Sequence, residues 1–136
     1  LPISKVKFKD SSKFLKGGYK LDPTPIWDSA LSFSRSMYLA NQLMCLSFSG
    51  PSKILKLGKG GAILTDNEEA SKWFKKARYH GRNPIDHRKD NFDMLGWNMY
   101  MTPETSARGL VLMQGMEDNE DVTQEYQDLS KFEIYN

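Results

Sequence analysis

Three short apolar runs and two longer periodic stretches set the outline of this chain. Pro25-Ile26-Trp27-Asp28 reads as a short strand ending on a carboxylate. Leu43-Met44-Cys45-Leu46-Ser47-Phe48 is an apolar run of the kind found in strands buried on both faces. Ala62-Ile63-Leu64-Thr65 is the third such run. From Glu68 to Tyr79 the period lengthens. Ala70, Trp73, Phe74 and Ala77 fall at i, i+3, i+4 and i+7, which predicts a helix packed through that face. Thr65 with Glu68, or Asp66 with Glu69, would close its start as a capping box. Lys75, Lys76 and Arg78 suit its C-terminal end, and Gly81 suits the turn that stops it. A polar loop follows from Arg82 to Asp93. Thr102-Pro103-Glu104 then opens a second helix with an N-cap and a proline in its first turn, and Ala107, Leu110, Val111 and Gln114 share one face. Val122, Tyr126 and Leu129 predict a last helical segment. Apolar runs separated or followed by helical stretches define an α/β class, with about three sheet strands and flanking helices.

The first 25 residues are less legible. Lys5-Val6-Lys7-Phe8-Lys9 alternates with period two, as an edge strand does, and its lysines discourage edge-to-edge pairing. Gly17-Gly18 and Asp22-Pro23-Thr24-Pro25 read as breaks. A length of 136 residues fits one domain, and 39% apolar residues supply a modest core.

Charge and composition narrow the partners. Nineteen basic and 17 acidic residues leave a net charge of +2, which argues against nucleic acid. No apolar run approaches the roughly 20 residues of a membrane helix, so no membrane partner is expected. The first residues, Leu1-Pro2-Ile3-Ser4, lack the basic-then-apolar pattern of a secretory signal, and a cytoplasmic location is expected. The single Cys45 cannot form an internal disulfide and reads as a buried reduced thiol. Two histidines offer little material for a metal site, and none is expected.

The chemistry concentrates between Ser47 and Asn67. Lys53 follows a strand and a Ser-Phe-Ser-Gly-Pro-Ser turn, and Gly58-Lys59-Gly60-Gly61 comes next. A lysine amine forms an imine with an aldehyde only when unprotonated, and burial or neighbouring cations such as Lys56 and Lys59 favour that form. The ordinary alternative is a solvated surface lysine. Ser47, Ser49 and Ser52 could hold a phosphate with their hydroxyls, or simply build the turn. Asp28 could be a functional carboxylate or the cap of a following helix. Asn98 could be a ligand or a loop residue before the second helix. Trp73 and Phe74 are expected in the core.

In this order, the segments resemble the lysine-bearing part of the pyridoxal-phosphate-dependent sugar aminotransferases, the DegT/StrS family, of fold type I. The resemblance spans residues 26–129 and rests on four segments: Trp27-Asp28-Ser29-Ala30, Ser47-Phe48 with Lys53 and its glycines, Arg78-Tyr79-His80-Gly81, and Gly96-Trp97-Asn98 before a capped helix. It implies the C-terminal half of that family's large domain. It also implies a catalytic Lys53 that forms the internal aldimine with pyridoxal phosphate, an Asp28 partner for the ring nitrogen, and Ser47 on the phosphate. Asn98 would reach the phosphate across a homodimer interface. The implied substrate is a keto nucleotide-sugar.

Three positions depart from the family pattern. Ser47 lies six residues before Lys53 rather than five, Leu31 replaces a histidine or glutamine, and Tyr100 replaces an arginine whose fork a phenol lacks. The family's other walls are expected to lie outside these 136 residues. The expectation is therefore a partial or split member that needs a second chain to complete the site. The alternative is a catalytically inactive dimerising domain that retains the fold. A third reading, nucleotide binding through Gly58–Gly61, lacks the Gly-Lys-Ser/Thr ending or the Gly-x-Gly-x-x-Gly spacing it would need.

Overall fold

The computed structural model describes residues 14–15 and 18–117. The edge strand expected at Lys5–Lys9 and the last helical segment at Val122–Leu129 lie outside the described residues. Five strands form one mixed sheet: β1 (Phe14–Leu15), β2 (Gly18–Lys20), β3 (Ile26–Asp28), β4 (Leu43–Ser47) and β5 (Gly61–Leu64). Their order in the sheet is their order in the chain. β3 and β4 run parallel, and every other neighbouring pair is antiparallel.

The three expected strands all form. The two extra strands come from the first 25 residues, where the glycine pair read as a break. Gly18 instead opens β2, because two or three residues suffice once β3 supplies a partner edge. The crossover from β3 to β4, residues 29–42, contains no helix. It makes turns, and Leu31 and Ser32 within it are buried.

β4 departs from the expectation of burial on both faces. Met44 and Leu46 are buried, while Leu43, Cys45 and Ser47 are half-buried. One face of the sheet is packed and the other is partly open among the described residues. The packed side holds Leu46, Phe48, Leu55 and Leu57, ringed by Phe33, Met37, Ala62, Leu64, Met101 and Met116. Phe33 meets Phe48 edge to face at 5.6 Å, the geometry that ring quadrupoles favour.

The first helix, α1 (Glu68–Ala77), begins at Glu68 as expected, but its cap lies one residue past Asp66 and two past Thr65, the starts of the two expected capping boxes. Its N-cap is Asn67, whose Oδ1 accepts the Ala70 amide at 2.9 Å. Ala77 is buried and Phe74 half-buried, but Trp73 is 51% exposed and stands edge to face on Phe74. Two adjacent positions cannot both point inward on a helix that touches its neighbours along a narrow stripe. The second helix, α2 (Pro103–Gln114), has the expected Thr102 cap, with Oγ1 accepting the Thr105 amide at 3.3 Å. Its buried residue is Gly109, while Leu110 is 64% exposed and Val111 similarly open. The expected apolar face is thus turned outward, and the helix packs through its smallest residue. The polar loop after α1 contains one 3-10 turn, His87–Lys89, capped by Asp86.

Candidate functional site

Parallel pairing brings the C-terminal ends of β3 and β4 side by side, with Asp28 opposite Cys45. Side chains two apart on a strand share a face, so Asp28, Cys45 and Ser47 line the half-open side of the sheet together. Tyr19 of β2 pairs with Asp28, and Ile63 of β5 pairs with Cys45, so both border the same surface. Gly61 stands opposite Ser47, and a Cβ there would lie 2.3 Å from the Leu46 carbonyl oxygen. Only glycine lets β5 approach that closely.

Asp28 is held from two directions. The Tyr19 hydroxyl donates to Oδ2 at 3.0 Å, and the Ala30 amide donates to Oδ1 at 3.0 Å. The Ala30 contact is the turn-type cap foreseen for an aspartate after a strand. The Cys45 thiol is pushed above its ordinary value, chiefly by burial and then by the negative charge of Asp28. It is half-buried, more open than the fully buried thiol the sequence suggested.

Ser47 and Ser49 act as a pair. Their hydroxyl oxygens lie 2.9 Å apart, and the Ser49 amide points at Ser47 Oγ at 3.4 Å. Both hydroxyls stand at one place at the end of β4. Lys53 lies on the turn that follows, its amide donating to the Gly50 carbonyl at 3.4 Å. The loop is pinned where it leaves and returns, by Leu57 N–H to Phe48 O at 3.1 Å and Phe48 N–H to Gly60 O at 2.9 Å. Leu55 and Leu57 anchor it in the core. Lys53 is half-buried, and its amine has no ion pair or hydrogen bond among the described residues. Lys56 and Lys59, the candidate neighbouring cations, are exposed.

The second helix docks onto this loop. Arg108 Nη1 donates to the Leu57 carbonyl at 3.4 Å, and Gly109 faces the Leu57 side chain. Gly60, with φ +103°, faces Met101, whose Cε would lie 2.9 Å from an added Cβ. Asn98 is three residues ahead of Met101 and forms a bridge with Tyr79. Trp97 N–H to Ala77 O, His80 N–H to Trp97 O and Met99 N–H to Arg78 O complete that junction. The His-Gly and Gly-x-Asn motifs are thereby joined, as a structural joint between α1 and the segment leading into α2. Asn98 itself is exposed, and no hydrogen bond joins it to Asp28, Ser47 or Lys53 among the described residues.

Leu31, at the position where a polar residue was noted as usual, is 4% exposed and belongs to the interior. Tyr79 and Tyr100 meet edge to face at 5.4 Å, which gives Tyr100 a packing role. Sequence reasoning missed Tyr19 and Arg108. A three-residue strand carries no period from which Tyr19 could be placed. Arg108 stands on a helix face that was expected to point away. A shallow cavity of about 190 Å³ is lined by Phe33, Ser34, Arg35, Met113, Met116 and Glu117, none of them a candidate site residue.

A carboxylate and paired hydroxyls at the carboxyl ends of the one parallel strand pair, with a lysine on the pinned turn that follows, define an α/β protein whose polar groups gather at the end of the strands where such folds receive ligands. The chain matches the DegT/DnrJ/EryC1/StrS aminotransferase family over residues 38–131, and it belongs to that family. Ser47, Lys53 and Asn98 fall within the matched stretch, whereas Asp28 precedes it. No curated protein and no solved structure matches the chain. No helix among the described residues is long and apolar enough to cross a membrane, and no group of three or more potential metal ligands occurs among them.

Proposed function

We propose that this chain is a pyridoxal-phosphate-dependent aminotransferase of fold type I, acting on a keto nucleotide-sugar, with Lys53 as the residue that carries the cofactor. The observation that carries the reading is the placement of Asp28 and Ser47 on one sheet face at the ends of parallel β3 and β4, with Lys53 on the turn directly after. The donor set suits that cofactor: a primary amine for its aldehyde, a carboxylate for its ring nitrogen, and a pair of hydroxyls for its phosphate. The amine is not consumed by an ion pair among the described residues, which leaves it available.

Pyridoxal phosphate, when bound, supplies an electron sink for the carbanion formed at the amino donor's carbon. The remaining roles belong to this chain. Lys53 would hold the cofactor through its amine, and as a free base that amine would carry the proton that moves in the transfer. Asp28, fixed by Tyr19 and Ala30, would keep a proton on the ring nitrogen. Ser47 and Ser49 would hold the phosphate. Asn98, exposed beside a joint of backbone hydrogen bonds, is assigned to the phosphate of a second copy across a homodimer interface. The half-open sheet face supports a site completed by a second chain or segment. A cytoplasmic setting, in which Cys45 stays reduced, goes with this reading.

The test is to add pyridoxal phosphate to the folded chain, reduce with borohydride and map the adduct. The expected result is one adduct on Lys53 that is absent from Lys53→Ala and lost on prior denaturation. An adduct spread over several lysines, or one indifferent to denaturation, refutes the assignment.

A second reading, an inactive dimerising domain, is favoured by one observation. Leu95, Trp97 and Met99 (65% exposed) present apolar surface beside Asn98. A dimer in sedimentation experiments that takes up no pyridoxal phosphate supports it over the first.

A further inference from the structure

Tyr19 stands outside the matched stretch, yet its contact is with the residue on which ring chemistry depends. Antiparallel register sets Tyr19 opposite Asp28, and Gly18 beside it lets β2 approach closely. A Cβ on Gly18 would lie 2.9 Å from the Asp28 carbonyl oxygen and 3.2 Å from Ser29 Oγ. At this separation the phenol reaches Oδ2 at 3.0 Å while the Ala30 amide holds Oδ1 at 3.0 Å. One donor on each oxygen, from two different elements, fixes both the rotation and the tilt of the carboxylate. Each oxygen of an ionised carboxylate keeps further lone-pair capacity, so a third donor can still be received.

We propose that Tyr19 is a positioning residue that holds the Asp28 carboxylate in place for a protonated aromatic ring nitrogen. The inference rests on the reading of Lys53 and Asp28 as cofactor residues. It adds a donor from the N-terminal hairpin to the site. Removing the phenol oxygen frees Asp28 to rotate, and a carboxylate that samples several orientations supports a ring cation less well.

The test compares wild type, Tyr19→Phe, Asp28→Asn and the double variant by absorbance titration with pyridoxal phosphate over a range of pH. Phenylalanine keeps the ring, and thermal unfolding without cofactor reports any change in the fold separately. Tyr19→Phe is expected to bind about tenfold more weakly, the scale of one hydrogen bond to a charged group. The pH at which the bound cofactor's absorbance bands interconvert should rise, because a ring that loses its positive charge no longer opposes protonation of the nitrogen joined to Lys53. In the Asp28→Asn background the phenol should no longer matter to that pH. If Tyr19→Phe matches wild type in affinity and pH profile and loses only thermal stability, Tyr19 is a hairpin staple and the inference is overturned while the cofactor reading stands. If wild type itself takes up no pyridoxal phosphate at Lys53, the cofactor reading fails and takes this inference with it. A Tyr19→Phe chain that does not fold leaves Asp28→Asn to decide: an unchanged pH profile there overturns the inference.

Discussion

Gly81 and Gly96 meet backbone to backbone with no room for a side chain on either. A Cβ on Gly96 would lie 1.9 Å from the Gly81 nitrogen, and one on Gly81 would lie 2.1 Å from the Met94 carbonyl oxygen. Gly81 also has φ +74°, a left-handed conformation that glycine adopts without penalty. Two motifs fifteen residues apart thus serve one contact, which holds the end of α1 against the strand-like segment carrying Asn98.

Replacing Gly96 by alanine should open this contact. The backbone cannot yield as a flexible side chain would, so a loss of about 1–3 kcal/mol is expected, as for other overpacked sites. Urea unfolding monitored by tryptophan fluorescence measures it. An unchanged midpoint would show that the joint is looser than these distances indicate.

Ser47→Ala should weaken pyridoxal phosphate binding by about fivefold to tenfold, because it removes one hydroxyl and leaves Ser49 without its partner. Ser52→Ala, with its exposed side chain, should change little. Titrating cofactor absorbance against each variant distinguishes the two. Equal losses would mean that the phosphate is held by the whole turn and not by the Ser47–Ser49 pair.

Asn67→Ala should cost about 1 kcal/mol through the loss of the α1 cap. Thr65→Ala, at the capping box foreseen from the sequence, should cost less, since Thr65 Oγ1 receives only the Asn67 amide. Thermal unfolding of the pair ranks the two caps directly.

Acid should loosen the loop after α1. Asp93 and Asp86 both titrate below the ordinary aspartate value of 3.8, Asp93 through its hydrogen bond with Lys76 and Asp86 through Arg88. A depressed carboxylate contributes stability that is present above its unfolded value and disappears as pH falls through the folded one. The loss should therefore set in below about pH 4, and Asp93→Asn should remove part of it. Because both groups are solvent-exposed, the effect should also shrink at high salt, and a scan of unfolding temperature between pH 2 and 6 at two ionic strengths would reveal it.

Much of the fold was legible where residues repeat with a clear period. Ile26–Asp28, Leu43–Ser47 and the run at Ala62 announced strands, and the caps at Thr102 and near Asn67 announced helices within a residue or two. Facing was harder. Trp73 and Leu110 have the period of core positions and yet point outward, because a periodic pattern identifies an apolar stripe without saying which part of it meets a neighbour. The site was legible as residue types and not as geometry. That Asp28 and Ser47 share a face depends on the parallel register of Asp28 with Cys45, which no single sequence discloses. Tyr19 was invisible for the same reason: its importance lies wholly in what it pairs with.

The sheet's order carries one more consequence. Among the described residues, each strand from β2 to β5 pairs with the strand just before it in the chain. A chain leaving the ribosome can lay this sheet down one strand at a time, with short loop closures and few misplaced alternatives. The Tyr19–Asp28 contact lies within one hairpin, so it depends on no residue after β3. A variant that disrupts the Lys53 turn should leave that contact in place.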